Sequence, residues 1–125
     1  MLGKLGLLSD FDLCFNITMN PYGREMERNV PRLQECIETF RKLSAVIGSR
    51  RIVWRYDPIF LSPQYDLDFH RRAFEYLCRE LQGLAYKTIM GFIIHHPFVA
   101  KRIDPLGIKR KDVNDILTIA EIFSE

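Results

Sequence analysis

Polar side chains stand at every second position in two stretches of the sequence. Asn16, Thr18 and Asn20 form the first set. Arg55 and Asp57 form the second. Because alternate residues of an extended strand share one face, each set is predicted to present its side chains together. An arginine on such a face can bind a carboxylate or phosphate ligand through two parallel hydrogen bonds. Arg55 and Asp57 can equally form a structural ion pair with each other. Both interpretations stay open.

Further polar residues follow the predicted strands. Tyr22 comes shortly after the first strand, and His95 and His96 stand at the end of the third. Neighbouring residues of an extended segment point to opposite sides, so these two histidines are not expected to bind one metal ion together. No metal site and no catalytic residue are assigned. The predicted ligand-binding residues are Asn16, Thr18, Asn20, Tyr22, Arg55, Asp57 and His95.

Two hydrophobic periods alternate along the chain, one typical of strands and one of amphipathic helices. The predicted strands cover residues 15–20, 51–56 and 87–94. The second strand is expected to end at Asp57-Pro58. The third is almost entirely apolar, which predicts a strand covered on both faces of the sheet. The predicted helices run from a cap at Asn29 to Gly48, from Asp66 or Asp68 to Gly83, and over a last segment after an irregular stretch at 95–107. The last helix carries the apolar residues Val113, Ile116, Leu117, Ala120 and Phe123. His70, within the second helix, is expected to pack or to face solvent.

Three successive strand–helix units of this length predict right-handed crossovers and a parallel sheet, which is an α/β fold. One domain is predicted over residues 1–125. A closed barrel of eight such units takes about 250 residues, so the chain is expected to resemble part of a TIM-type barrel. Its sheet is either open or covered at its edges by a second copy or a companion chain. In a parallel sheet ligands bind beyond the carboxyl ends of the strands, where the candidate residues stand.

Composition narrows the class of protein. The 125 residues are 47% hydrophobic and 27% charged, as in globular proteins, and a net charge of +2 is too small to indicate nucleic-acid binding. No apolar stretch is long enough to cross a bilayer, and Asp10 and Asp12 interrupt the apolar start, so neither a membrane segment nor a signal peptide is expected. The spacing of Cys14, Cys36 and Cys78 fits neither a disulfide framework nor a metal motif, which predicts a reducing, cytoplasmic location.

Four blocks of the sequence recur together in one known family. Phe-x-x-Thr-x-x-x-Tyr-Gly stands at residues 15–23, and Leu-Ser-x-x-Ile-Gly stands at residues 43–48. Trp-Arg-Tyr-Asp-Pro is complete at residues 54–58, and His70 and Phe74 follow at the start of the next helix. Through these blocks most of residues 11–94 resembles the bacterial family catalogued as domain of unknown function 1848.

This resemblance implies a full α/β barrel of roughly twice this length and a trailing cysteine-rich tail that looks like the iron–sulfur ligand set of radical S-adenosylmethionine proteins. Those ligands are absent from this sequence, so no cofactor is expected in this chain. The family tends to end its third strand with Ser-Phe-x-Asp, whereas residues 91–94 are Gly-Phe-Ile-Ile. Tyr22, Arg55 and Asp57 are implied as parts of a substrate pocket.

Two hypotheses for function follow. The first is a shortened family member that retains a small-molecule or anion-binding pocket at the carboxyl ends of its strands. The second is a non-catalytic α/β module for assembly or interaction, either as a homo-oligomer or with a companion chain that covers the sheet edges.

Overall fold

Strands and helices alternate along the chain in the order that the sequence predicts. The computed structural model describes residues 2–8, 10–110 and 112–124. Its strands are β1 (Phe15–Thr18), β2 (Ile52–Ile59) and β3 (Lys87–Phe92), and its α-helices are α1 (Leu33–Ile47), α2 (Leu67–Leu81), α3 (Pro97–Ile103) and α4 (Val113–Ser124). Short 3-10 helices occupy Leu2–Leu8, Ser49–Arg51 and Asp104–Leu106.

The strands form one three-stranded sheet in the order β1-β2-β3. β1 pairs with β2 in parallel, in a register that runs from Phe15 opposite Ile52 to Thr18 opposite Arg55. The predicted α/β fold, with a parallel sheet and alternating strands and helices, is therefore confirmed. The resemblance to part of a TIM-type barrel stays a prediction.

By its internal contacts the chain divides into two compact units. The first contains the residues up to Tyr56 together with Leu81–Ile89, and the second contains Asp57–Glu80 and the residues from Met90 onward. The single domain predicted over 1–125 stays a prediction.

Helix α1 supplies much of the core of the first unit. Its buried residues are Ile37, Phe40, Leu43 and Ser44, which follow the spacing of three and four that the sequence predicts. The hydroxyl of Ser44 donates a hydrogen bond to the Leu84 carbonyl at 2.9 Å. The helix ends as predicted at Gly48, whose φ of 86° lies in the left-handed region that glycine adopts without a steric penalty.

The predicted start of α1 at Asn29 is wrong, since Arg32 occupies the N-cap position and the helix begins at Leu33. The segment before it is folded into turns: the N–H groups of Met26 and Glu27 both donate to the Gly23 carbonyl, at 3.0 and 3.1 Å. A proline disfavours the helical conformation of the residue that precedes it. Pro31 therefore separates these turns from the helix.

Helices α2 and α4 build the core of the second unit. The Asp66 side chain caps α2 as predicted, because its Oδ1 accepts a hydrogen bond from the Phe69 N–H at 2.8 Å. The rings of Phe74 and Phe123 stack with centroids 3.8 Å apart and planes 4° apart. In α4 the buried residue is Ile119, which the predicted apolar set of the last helix does not include, whereas Val113 and Leu117 are exposed. The apolar pattern of a helix does not by itself show which of its residues are buried.

Two predicted strands also differ from the structure. β2 does not end at Asp57-Pro58 but continues to Ile59, whose carbonyl accepts a hydrogen bond from the Ile93 N–H at 2.9 Å. Proline lacks only its own backbone N–H, so the next residue of the strand can again form hydrogen bonds with the neighbouring strand. β3 ends at Phe92 and is exposed along Lys87–Met90, which contradicts the strand covered on both faces. The cause is its position at the edge of the described sheet, which an apolar sequence does not reveal.

The stretch at 95–107, predicted to be irregular, contains helix α3 and a following 3-10 turn. Pro97 opens α3, where its fixed φ suits the first turn and its missing N–H costs no helical bond. None of the helices within residues 2–8, 10–110 and 112–124 is long and apolar enough to span a bilayer.

Candidate functional site

A cleft of about 310 Å³ lies in the first unit, between the carboxyl end of β1 and the first residues of α1. Its wall includes three of the residues predicted from the strand pattern, Thr18, Asn20 and Tyr22. The remainder of the wall was not predicted from the sequence. It consists of the charged residues Arg24, Glu27 and Arg32, and of Met19, Gly23, Val30, Pro31, Leu33 and Cys36.

The floor of the cleft is fixed by hydrogen bonds to Met19. Its N–H donates to the Arg55 carbonyl at 3.0 Å, so pairing with β2 extends one residue beyond β1. Its carbonyl accepts a hydrogen bond at 3.0 Å from Nε1 of Trp54, a side chain that is 2% exposed. Both polar backbone groups of Met19 are therefore held by β2. Since Thr18 and Asn20 flank Met19, these two bonds set the position of the cleft wall.

Asn20 connects this floor to the turns that precede α1. Its Nδ2 donates a hydrogen bond to Oε1 of Glu27 at 2.9 Å. Asn20 is 6% exposed, and a buried amide requires such partners to offset its desolvation. The bond fixes the Glu27 carboxylate at the cleft.

Two guanidinium groups give the cleft a positive side. Arg24 and Arg32 both line it and are exposed enough to meet a ligand from solvent. Arg32 is also the N-cap of α1 and provides no side-chain acceptor for the N–H groups of the first turn. The N-terminal end of a helix carries a partial positive charge, which adds to the field of the two arginines.

The thiol of Cys36 lines the same cleft but is not activated. Burial raises its pKa above the usual value, and the nearby charges of Glu27 and Glu35 raise it further. The protonated thiol lies 3.6 Å from the Pro31 carbonyl. Since the thiolate is the nucleophilic form, burial and the two nearby carboxylates disfavour reaction of the Cys36 thiol.

Asn16 lies on β1 and Arg55 lies on β2, and neither lines the cleft. Thr18 lies opposite Arg55 in the strand register, and Asn16 lies opposite Val53. Paired residues of adjacent strands present their side chains on the same face, so Thr18 and Arg55 are neighbours on the sheet. Arg55 is half-buried and Asn16 is exposed. Arg55 belongs to the first unit and Asp57 to the second, and the expected pairing of their side chains stays a prediction.

Asp57 packs against a glycine of β3. A Cβ atom built on Gly91 would lie 2.5 Å from Cγ and 2.6 Å from Oδ1 of Asp57. The carboxylate therefore fills the space that a side chain at position 91 would need. The sequence prediction had treated Gly91 only as part of an apolar strand. A glycine inside a strand marks such a close approach, and this signal was available in the sequence.

The three histidines have different environments. Both ring nitrogens of His95 are buried, and neither has a hydrogen-bond partner among residues 2–8, 10–110 and 112–124. His95 belongs to the second unit and does not line the cleft. Nδ1 of His96 accepts from the Phe98 N–H at 3.4 Å and so caps α3.

His70 is a core residue, 0% exposed, so of the two predicted alternatives it packs and does not face solvent. Its Nε2 lies 2.8 Å from the Phe60 carbonyl. Because a carbonyl only accepts, Nε2 carries the proton. Burial lowers the pKa of His70, although the hydrogen bond to Phe60 opposes this effect. Burial therefore disfavours the charged form of His70.

Within the described ranges, no group of three or more His, Cys, Asp or Glu residues is placed to hold a metal ion. The arrangement in the first unit can bind and orient a small charged molecule between its arginines and its carboxylate.

Comparison with known proteins confirms the family that the sequence resembles. No curated protein and no solved structure matches the chain significantly. A family model described as "Domain of unknown function (DUF1848)" matches residues 1–125, which is the whole chain. This match includes both Trp54, which holds the cleft floor, and the segment that forms the cleft wall. The chain thus belongs to the family of proteins that contain the domain of unknown function DUF1848.

Proposed function

We propose that this protein binds a small organic anion in the cleft between β1 and α1. The observation that supports the proposal is the wall of this cleft, where Arg24 and Arg32 stand with the polar side chains at the end of β1. Small-molecule sites usually enclose about 300–1,000 Å³, and a volume of about 310 Å³ is at the lower end of this range. The expected ligand is therefore compact.

Guanidinium groups favour a carboxylate or a phosphate as the anionic group. Each offers planar donors that match two oxygens at once, and charge-assisted hydrogen bonds are roughly twice as strong as neutral ones. The apolar residues Met19, Val30 and Leu33 of the same wall suit a hydrocarbon part of the ligand. The groups of the cleft bind and orient, and no reaction is assigned to them.

The binding proposal predicts a specific loss in two variants. Isothermal titration calorimetry with inorganic phosphate, succinate and benzoate should detect binding of at least one anion to the wild-type protein. Arg24→Gln and Arg32→Gln should each lower its affinity by about tenfold to a hundredfold, since a hydrogen bond to a charged group contributes about 1.5–3 kcal/mol. Arg50→Gln is the matched control, because Arg50 is exposed and lies in the 3-10 turn before β2, outside the cleft wall.

If Arg50→Gln lowers the anion affinity as much as Arg24→Gln and Arg32→Gln do, the anions bind through the net charge of the protein and not in the cleft. Absence of binding to all three anions, or unchanged affinity in the Arg24→Gln/Arg32→Gln double variant, would contradict the proposal.

We further propose that the protein works in the cytoplasm and that its own cysteines hold no iron–sulfur cluster. Cys14 precedes β1, Cys36 lies on α1 and Cys78 lies on α2. All three are free thiols, which suits a reducing compartment. A thiolate cluster needs several cysteines that converge on one point, and the spacing of these three gives no such motif.

A second candidate function is assembly through the β3 edge. Ile89 and Met90 are exposed there, at 37% and 41%, and a strand edge with apolar side chains pairs readily with another chain. The expected occupant is a second copy of this chain. Sedimentation velocity at micromolar concentration should then show a dimer that Ile89→Lys converts to monomer. A wild-type protein that sediments as a monomer would remove this alternative.

A further inference from the structure

We propose that the ligand of this cleft is an α-amino acid or an α-hydroxy acid with an apolar side chain, and that Glu27 selects it by binding its ammonium or hydroxyl group. This inference rests on the proposed function, because it specifies the anion that the two arginines bind. It adds a requirement for a hydrogen-bond donor next to the anionic group.

Glu27 is fixed in position more firmly than a surface glutamate. Its N–H donates to the Gly23 carbonyl at 3.1 Å, and its own carbonyl accepts from the Val30 N–H at 3.2 Å. Its carboxylate is held at the other end by Asn20, whose Nδ2 lies 2.9 Å from Oε1. Backbone and side chain are thus both anchored, and the residue is half-buried. A fixed carboxylate loses little conformational entropy when a ligand binds to it.

The negative charge of Glu27 is available to a ligand. The Asn20 amide is neutral and donates to one oxygen, whereas a carboxylate has acceptor sites for about four hydrogen bonds. The charge also acts within the cleft, because it contributes to the raised pKa of Cys36, which lines the same cleft. A donor group of the ligand would therefore meet both an acceptor and a favourable field.

Charges of both signs in one small cleft define the ligand class. Arg24 and Arg32 require an anionic group, and Glu27 requires a donor, so the ligand carries both within a short distance. Simple carboxylates lack the donor, and simple amines lack the anion. An α-amino acid or an α-hydroxy acid carries the two groups on the same carbon atom. Met19, Val30 and Leu33 then face the side chain of the ligand, which suits an apolar one.

The test compares three ligands that share one carbon skeleton: leucine, its hydroxy acid leucate, and isocaproate, which has neither substituent. Titration calorimetry on the wild-type protein should show that leucine or leucate binds about tenfold to a hundredfold more tightly than isocaproate, as expected for one charge-assisted hydrogen bond. Leucine as the stronger ligand identifies an ammonium, and leucate identifies a hydroxyl.

Glu27→Gln is the decisive variant, because the glutamine carbonyl can still accept the hydrogen bond from Asn20. The preference over isocaproate should fall by about tenfold or more, while the affinity for isocaproate stays the same or rises. Glu38→Gln makes the same change of net charge at an exposed position of α1 that does not line the cleft, and it should retain the preference.

The possible failures are distinct. If isocaproate binds as tightly as leucine and leucate, or if Glu27→Gln keeps the preference, the selection by Glu27 is wrong while anion binding stands. If none of the three ligands binds and phosphate, succinate and benzoate do not bind either, the proposed function fails together with this inference.

Discussion

Trp54→Ala should destabilise the protein by about 3–5 kcal/mol, as expected for truncation of a large buried aromatic side chain. Trp54 is 2% exposed, and its ring lies edge-on to Tyr56 with centroids 5.9 Å apart and planes 88° apart. The variant loses this packing and leaves a cavity behind β1. Urea unfolding should be followed by circular dichroism, because Trp54 is the single tryptophan and its removal eliminates that fluorescence signal.

The milder variant Trp54→Phe separates packing from hydrogen bonding. It keeps an aromatic ring but removes Nε1, so the Met19 carbonyl loses the donor that lies 3.0 Å away. A buried acceptor without its partner costs about 1–3 kcal/mol. Because Met19 stands between Thr18 and Asn20, the cleft wall should shift and the affinity for anions should fall in protein that is still folded.

Tyr86→Phe is the control for loss of a polar atom from an aromatic side chain. Tyr86 is exposed, so this change should alter the free energy of unfolding by less than about 0.5 kcal/mol. If Trp54→Phe has wild-type stability and wild-type anion affinity, Trp54 does not position the cleft. The contribution of Trp54 would then be limited to packing.

Local patterns in the sequence predicted the elements whose boundaries depend on local chemistry. The parallel α/β arrangement followed from alternating periods, the end of α1 from Gly48, and the start of α2 from the Asp66 cap. The errors concern features that depend on neighbours in space. The exposure of β3 reflects its position in the sheet, and the burial of Ile119 reflects the residues that surround α4 in the fold.

The candidate site was predicted in part for the same reason. Thr18, Asn20 and Tyr22, which line the cleft, were predicted because ligands bind at the strand ends of parallel sheets. This rule requires only the position of the strand, which the sequence indicates. Arg24 and Glu27 were missed because they stand in turns whose folding depends on the hydrogen bonds to Gly23 and Asn20. A usable signal existed, since charged residues crowd the segment between the end of β1 and Pro31. His95 was predicted for the site but lies in the other unit.

Gly91→Ala should destabilise the protein by about 1–3 kcal/mol, the usual cost of an extra methyl group in a packed region. In general, replacing a glycine by alanine within a strand stabilises a protein by roughly 0.5–1 kcal/mol. At position 91 we expect the opposite, a loss of stability. The reason is the Asp57 carboxylate, whose Cγ would lie 2.5 Å from the new Cβ. Asp57 has a short side chain, and it must rotate away or β3 must move.

A double-mutant cycle in urea unfolding tests this cause directly. Asp57→Ala removes the clashing carboxylate, so adding Gly91→Ala to Asp57→Ala should cost less than adding it to the wild type. The expected difference is about 0.5–3 kcal/mol, the range for residues in contact. Gly6→Ala is the matched control, because nothing lies within 4 Å of a Cβ built there. Additive effects of Asp57→Ala and Gly91→Ala would show that Gly91 does not make room for the carboxylate. A non-additive result would instead establish Gly91 as the residue that lets Asp57 lie against β3.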